Sequence, residues 1–391
     1  MKLITTTREL AQFCDSVGTS PFVAVDTEFM RESTYWPKLC LVQAATPEVA
    51  AVIDPLASEI DLAPFLELMR DTSIQKVFHA ARQDVEIFFN LGAPPEPLFD
   101  TQVAAMAAGF PEQVAYDVLV RRMLDVEIDK SSRFTDWARR PLSNAQLTYA
   151  LADVTHLARL FPMLRVRLEE AGRLAWVVEE MSALLDPQLY DTDPENAWKR
   201  LKPRRHTPKY MAVLRELAAW RERTAQTRDQ PRGRILKDDA IDELATQHPT
   251  DSEALERLRS LPKGFSGSRF GAEVIEAVRK GLVQAEGIQP EPRRAHKHPA
   301  MPTGAVVELL KVLLKARSEE AHVASKLIAT VSDLEKIAAD DEADTPALQG
   351  WRREAFGADA LRLKRGEIAL VLDAAKVRVV EVKRRPRSET D

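Results

Sequence analysis

Three short apolar runs follow one another near the start of the chain: PFVAVDTEF (21–29), KLCLVQAAT (38–46) and VAAVIDP (49–55). The gaps between them are too short for a helix, so the runs predict an antiparallel meander. A helix follows (LAPFLELMRD), then a fourth strand (QKVFHAA), another helix (DVEIFFNLG) and a segment opened by PLFDTQ. A strand reached through a helix is a crossover, so the second half of this region predicts parallel additions to the meander, and the sheet is mixed. From about residue 112 to 185 the period changes. LTYALADVTHLARLFPMLRVRLEEAG carries apolar residues at i, i+3, i+4 and i+7, the signature of a helix with one buried face.

The chain is too long for one ordinary core. Its 391 residues suggest two or three domains, and 45% hydrophobic with 29% charged residues reads as soluble and globular. No window approaches the roughly 18 uninterrupted apolar residues of a membrane span. MKLITTTREL lacks the basic start and apolar core of a signal peptide. Cys14 and Cys40 are too few for a disulfide framework or a zinc site, and a reducing cytoplasm is the expected setting. The net charge of −5 argues against a nucleic-acid binder taken as a sum. Charge is unevenly placed, however: residues 199–237 hold thirteen Lys or Arg against Glu216, Glu222 and Asp229, and phosphate contacts are made by patches. KRLKPRRHTPKY reads as a basic, proline-punctuated linker, after which two helical segments of some 80 residues flank GIQPEPRRAHKHPAMPTG. The tail KRRPRSETD is expected to be disordered.

The first strand ends in two acids, Asp26 and Glu28. Residues i and i+2 of a strand share a face, so the two carboxylates point together. Such a pair repels itself, and burial raises its pKa values unless a cation compensates. A hard divalent ion with oxygen ligands is the simplest compensation. HAARQD places Asp84 at the start of a helix on the same sheet edge, and YALADV places Tyr149 and Asp153 one turn apart on one helix face.

VDTEF, HAARQD and Y-x-x-x-D together resemble the three exonuclease motifs of the DEDD superfamily, in its tyrosine-bearing branch. YWPKLCLVQ and DKSSRFTDWARRPLS extend the resemblance to the ribonuclease D family, whose members also carry C-terminal HRDC bundles. KYMAVLRELAAWRERTAQTRDQPRGRILKDDAIDELA and, more loosely, LLKVLLKARSEEAHVASKLIATVSDLEKIA are similar to such bundles. The resemblance implies an α/β ribonuclease-H-like mixed-sheet exonuclease domain (1–170), a helical and basic linker (171–207), a first all-α HRDC domain (208–286) and a second HRDC-like one (302–382).

It also implies the chemistry. Asp26, Glu28, Asp84 and Asp153 would hold two Mg²⁺ or Mn²⁺ ions roughly 3.5–4 Å apart. Asp26 would bridge both, Glu28 and Asp153 would complete the ion that binds water, and Asp84 would hold the second. Tyr149 would orient the water for attack, since a phenol with a pKa of about 10 is a poor base at neutral pH. The implied partner is RNA with a free 3′ end, foremost precursor tRNA, shortened to 5′-mononucleotides by a monomeric enzyme. A DNA 3′-5′ exonuclease is the alternative within this chemistry, and a non-catalytic RNA-binding scaffold the alternative outside it.

Other residues have plainer readings. His79 is expected to be a strand-end residue near substrate, and Asp100 a helix N-cap. Lys130, Arg133, Arg139 and Arg140, just before the last catalytic helix, are candidates for RNA contact. Arg228, Arg232, Arg234 and Lys237 in the first bundle are candidates for gripping phosphates. GFSGSRFG lacks the G-x-x-x-x-G-K-[ST] pattern, and no nucleotide-binding motif occurs, which excludes a helicase.

Overall fold

The computed structural model describes residues 3–129, 131–133, 135–286 and 304–382. Lys130, the 287–303 connection and the charged tail from 383 therefore lie outside the described residues. The first domain opens with β1 (Leu3–Ile4) and α1 (Thr7–Val17), then the meander β2 (Phe22–Met30), β3 (Lys38–Ala45) and β4 (Ala50–Ile53). It continues with α2 (Ala63–Arg70), β5 (Gln75–Phe78), α3 (Arg82–Asn90), β6 (Leu98–Asp100), α4 (Thr101–Ala107), α5 (Tyr116–Leu124) and α6 (Asn144–Glu170).

Six strands form one sheet in the order β1-β4-β3-β2-β5-β6. β2, β3 and β4 pair antiparallel, while β5 adds parallel to β2 and β6 parallel to β5, the mixed sheet the sequence predicts. β2 therefore lies at the junction of the antiparallel and parallel halves. Its Val23 and Val25 are fully buried, and a register shift between Glu28 and Phe29 interrupts the pairing with β3, which resumes at Phe29–Leu39 and Met30–Lys38. Alternation separates the two faces: Phe22 packs against Phe161 of α6, so Asp26 and Glu28, on the same face as Phe22, lie toward α6. α6 crosses β2, β3 and β4. Its start is secured by a capping box in which Ser143 and Gln146 exchange hydrogen bonds.

α7 (Leu174–Leu184) follows and packs on β6 and α4. The next domain comprises α8 (Pro208–Arg228), α9 (Arg232–Ile235), α10 (Asp238–Gln247), α11 (Ser252–Glu256) and α12 (Gly271–Glu286), with its own apolar core. Gly281 lets α12 lie against α8, because a Cβ there would fall 2.6 Å from the Val213 Cα. GFSGSRFG is a connection before α12, and its Gly264 and Ser266 donors are taken by the Glu256 carboxylate.

The last segment contains α13 (Gly304–Ala321), α14 (Ser325–Ile328), α15 (Val331–Ala339) and a helical run at 350–364 with a π-helical turn, Arg353–Gly357. It is not wholly helical. β7 (Ile368–Asp373) and β8 (Lys376–Glu381) form an antiparallel hairpin, which corrects the all-α expectation for this bundle. The alternation of IALVLD and KVRVVE was a strand signal, but the turn Ala374-Ala375 lacks Gly or Asn although Ala374 has φ +53°. Among the described residues no helix is long and apolar enough to cross a membrane.

Both C-terminal units dock on the first domain. Arg173 donates to the carbonyls of Ala107 and His322, at 2.9 and 3.1 Å, and to that of Ala321, while Trp176 stacks on Trp351 at 4.3 Å. On the other side, the loop after β2 enters the α8–α12 core. Tyr35 is buried there, and the backbone N–H groups of Tyr35 and Trp36 both donate to Asp229, at 2.9 and 3.0 Å.

Candidate active site

Asp26 and Glu28 from β2 and Asp153 from α6 converge. One carboxylate oxygen of each lies within 4.8 Å of the others. They come from a sheet strand and a helix packed across it, so their spacing is set by the rigid part of the domain. Asp84 joins from the other side. Thr27, between the two strand acids and therefore on the opposite face, donates its hydroxyl to Asp84, which is buried in the first turn of α3. Asp84 still acts on Asp26 and Glu28 through its charge. The four acids thus form one electrostatic cluster, with three at ligand distance and Asp84 held by Thr27.

The described residues do not neutralise this cluster. The charge of Arg133 pulls Glu28 and Asp153 down, and burial outweighs it at both. Burial, then the Asp153 charge, pushes Asp26 up to about 8. Burial and the charges of Asp26, Asp153 and Asp84 push Glu28 up to about 9, against a modest opposing pull from Arg133. Burial raises Asp153 to about 7, although a hydrogen bond from Tyr149 and the Arg133 charge pull it down. An all-oxygen set with so much uncompensated negative charge fits a hard divalent cation.

Tyr149 shares the α6 face with Asp153, and its ring lies 6.2 Å from that of the buried Trp137. Burial and the nearby carboxylates raise its pKa well above the ordinary phenol value, so it keeps its proton. A cleft of about 510 Å³ opens above these groups, lined among others by Asp26, Tyr149, Asp153, Tyr116, His79 and Arg133.

His79 lies in the cleft wall as a fastened residue. Its Nδ1 is 3.0 Å from the Thr101 hydroxyl and its Nε2 3.2 Å from the Val114 carbonyl, and burial lowers its pKa. Asp100 is the N-cap of α4 and also accepts from the N–H groups of Ala80 and Ala81, both at 2.9 Å. Ala80 there takes φ +59°, so Asp100 clamps the left-handed turn that aims α3 and Asp84. Tyr116, absent from the candidates read in the sequence, donates its hydroxyl to the Asp153 carbonyl. Its signal in the sequence is weak, an aromatic residue at the start of an amphipathic helix. Thr27 was more accessible, being the middle residue of D-T-E.

The basic candidates separate into two groups. Arg140 donates to Asp54 twice at 2.7 Å and to the carbonyls of Cys40, Trp137 and Arg139, which occupies its five N–H donors and makes it a structural clamp. Arg232 donates to both Glu222 oxygens, at 2.5 and 2.6 Å, and lies over the Tyr35 ring, so although partly exposed it is committed to the domain junction. Arg133 lines the cleft. Arg139, Arg228, Arg234 and Lys237 are exposed, with Arg228 resting on the Phe270 ring at 5.1 Å.

Comparison with known proteins agrees with this architecture. Residues 1–169 match the 3′-5′ exonuclease family model and residues 211–278 the HRDC domain model. The chain is 54% identical to ribonuclease D of Nitrobacter hamburgensis over 98% of its own length and 100% of the relative's. Ribonuclease D of Granulibacter bethesdensis is 49% identical, with 97% and 96% covered. Among solved structures, Escherichia coli RNase D, described as an exoribonuclease involved in structured RNA processing, superposes with a TM-score of 0.79 at 29% identity, covering 93% of this chain and 98% of that one. A mixed-sheet exonuclease domain, an HRDC domain docked on it and near-full-length identity to these relatives place this chain in the ribonuclease D family of 3′-5′ exonucleases.

Proposed function

We propose that this chain trims the 3′ ends of structured RNA, foremost precursor tRNA, releasing 5′-mononucleotides by hydrolysis at a site that takes two divalent cations. The observation that carries this reading is the convergence of Asp26, Glu28 and Asp153 within 4.8 Å, with Asp26 and Asp153 on the wall of an open cleft. Asp26, Glu28 and Asp153, at ligand distance from one another, would hold one cation, and Asp84, hydrogen-bonded to Thr27, would contribute to holding a second. Bound Mg²⁺ or Mn²⁺ would supply charge that favours hydroxide at neutral pH and stabilises a leaving oxygen.

The chain's own residues supply the order. Tyr149, which keeps its proton, donates or accepts a hydrogen bond that fixes the attacking water and does not remove its proton. Tyr116 holds the Asp153 backbone, and Asp100 holds the turn before Asp84. Arg133, on the cleft wall, would meet phosphates of the incoming strand, with the exposed Arg139 a further candidate. A second cleft of about 670 Å³ shares Ala80, Gln102 and Gln113 with the first and continues between α7 and the last domain, a path for single-stranded RNA upstream of the reacting nucleotide.

A gel time course on a 3′-extended tRNA precursor tests the reading, with Mg²⁺ or Mn²⁺, wild type against Asp153→Asn, and a DNA strand of matching sequence alongside. Stepwise shortening of RNA by wild type alone is expected. Equal shortening of DNA would move the assignment to a DNA exonuclease, and binding without shortening would leave a scaffold.

A further inference from the structure

Gln43 is a side chain that the site as described does not use. It lies on β3 directly opposite Asp26 of β2. Directly opposed residues of an antiparallel pair share a face, with Cβ atoms about 4.5–5.5 Å apart, so Gln43 belongs to the same face as the catalytic carboxylates, beneath α6. It is 0% exposed, and neither its Oε1 nor its Nε2 has a hydrogen-bond partner. Buried side-chain amides are almost always paired, and a position needing only volume would suit an apolar residue. Within the sheet its neighbours on that face are Val52 across on β4, Leu41 and Ala45 along β3, Asp26 directly opposite on β2, and Ala24 and Glu28 diagonally across on β2. Of these, Asp26 and Glu28 carry carboxylates able to accept the amide N–H, and Asp26 is the one directly opposed to Gln43.

We infer that Gln43 is a positioning residue: in the cation-loaded site its Nε2–H donates to the Asp26 carboxylate and holds that carboxylate in its metal-bearing orientation. The inference rests on the two-cation reading of the site. Outer partners of this kind orient metal-bound carboxylates.

The test titrates Mn²⁺ into full-length wild type, Gln43→Met and Asp153→Asn by calorimetry, with metal-free melting curves and steady-state kinetics on a single-stranded oligoribonucleotide. For Gln43→Met the metal-free melting temperature is expected to stay near wild type. Its Mn²⁺ affinity and kcat should each fall about tenfold or more, and its KM for RNA should be unchanged. Wild-type Mn²⁺ affinity in Gln43→Met overturns the inference, as does a fall in melting temperature with affinity and kcat intact, which would make the amide a packing element only. If Gln43→Met does not fold, Gln43→Asn, which withdraws the amide by one methylene, carries the same expectation and the same refutation. Failure of wild type itself to bind Mn²⁺ would instead remove the two-cation reading, with Asp153→Asn giving the background.

Discussion

Glu28 and Glu222 are both acids largely withdrawn from water, yet their surroundings push them in opposite directions. Around Glu28 the neighbours are more acids, and its pKa climbs to about 9. Glu222 is 1% exposed, and burial alone would raise it too. Hydrogen bonds from Arg232 and Tyr35, with the charges of Arg232 and Arg200, outweigh burial and bring it below the ordinary glutamate value. One acid is complete without help, whereas the other is in a cluster that needs a cation from solution. Buried charge therefore points to a functional site where neighbouring acids and burial outweigh the cations of the described residues; where the cations outweigh burial it marks a joint.

Substitutions should separate the two settings. Asp153→Asn removes a ligand and is expected to lower kcat at least about 10³-fold, as for groups that act as a unit. It should leave the metal-free protein as stable as wild type or more so, because it relieves repulsion. An intact rate would break the contrast at its stronger end. Tyr149→Phe should lower kcat about 10²-fold with Mn²⁺ affinity unchanged, and a loss of affinity would make the phenol part of the metal shell. Glu222→Gln should do the reverse of Asp153→Asn. Stability should drop by about 2–3 kcal/mol, at or below the low end of the range for broken buried pairs because both arginines are partly exposed, with little change in kcat on a short single strand, as followed by urea unfolding and kinetics.

The two settings also tilt stability with pH in opposite senses. Asp26, Glu28 and Asp153 bind protons more tightly folded than unfolded, so the metal-free fold loses stability as pH rises from the ordinary carboxylate range through about 7 to 9. Glu222 binds its proton less tightly folded, so its contribution is present above the ordinary glutamate value and is lost as pH falls through its lowered one. Melting curves of metal-free protein between pH 6 and 9 should fall by several degrees, and Mn²⁺ should flatten that slope. A flat metal-free curve would mean the cluster finds a protein counter-charge in solution. The smallest effects belong to the exposed cations: Arg234→Ala and Lys237→Ala should each weaken RNA binding uniformly and lower its log–log salt slope by about 1.

The acids were legible in the sequence because strand and helix periodicity convert spacing into direction. VDTEF and Y-x-x-x-D each state which side chains share a face, and the meander states where that face lies. The joint was not legible. Tyr35 and Glu222 are 187 residues apart, and a Tyr in a polar loop carries no sign of the core it will enter. Arg232 and Arg140 were read as basic surface for the same reason, since a sequence shows a charge but not the carboxylate that claims it. The first two elements went unread as well. Leu3–Ile4 is too short for alternation to register, and the pairing with β4 that makes it a strand is contributed from residues 52–53.

The insertion of Tyr35 into the α8–α12 core bears on how far this chain can be taken apart. The loop that carries it leaves directly from the strand bearing Asp26 and Glu28. A gene fragment ending near residue 170 would encode the exonuclease family match in full but display an aromatic pair, Tyr35 and Trp36, stripped of its seat. An HRDC module transplanted from elsewhere would need an acid at the place of Glu222 and an acceptor at that of Asp229. The two units behave as a matched lock and key within one polypeptide, so exchange between relatives should succeed only when the loop and the bundle travel together.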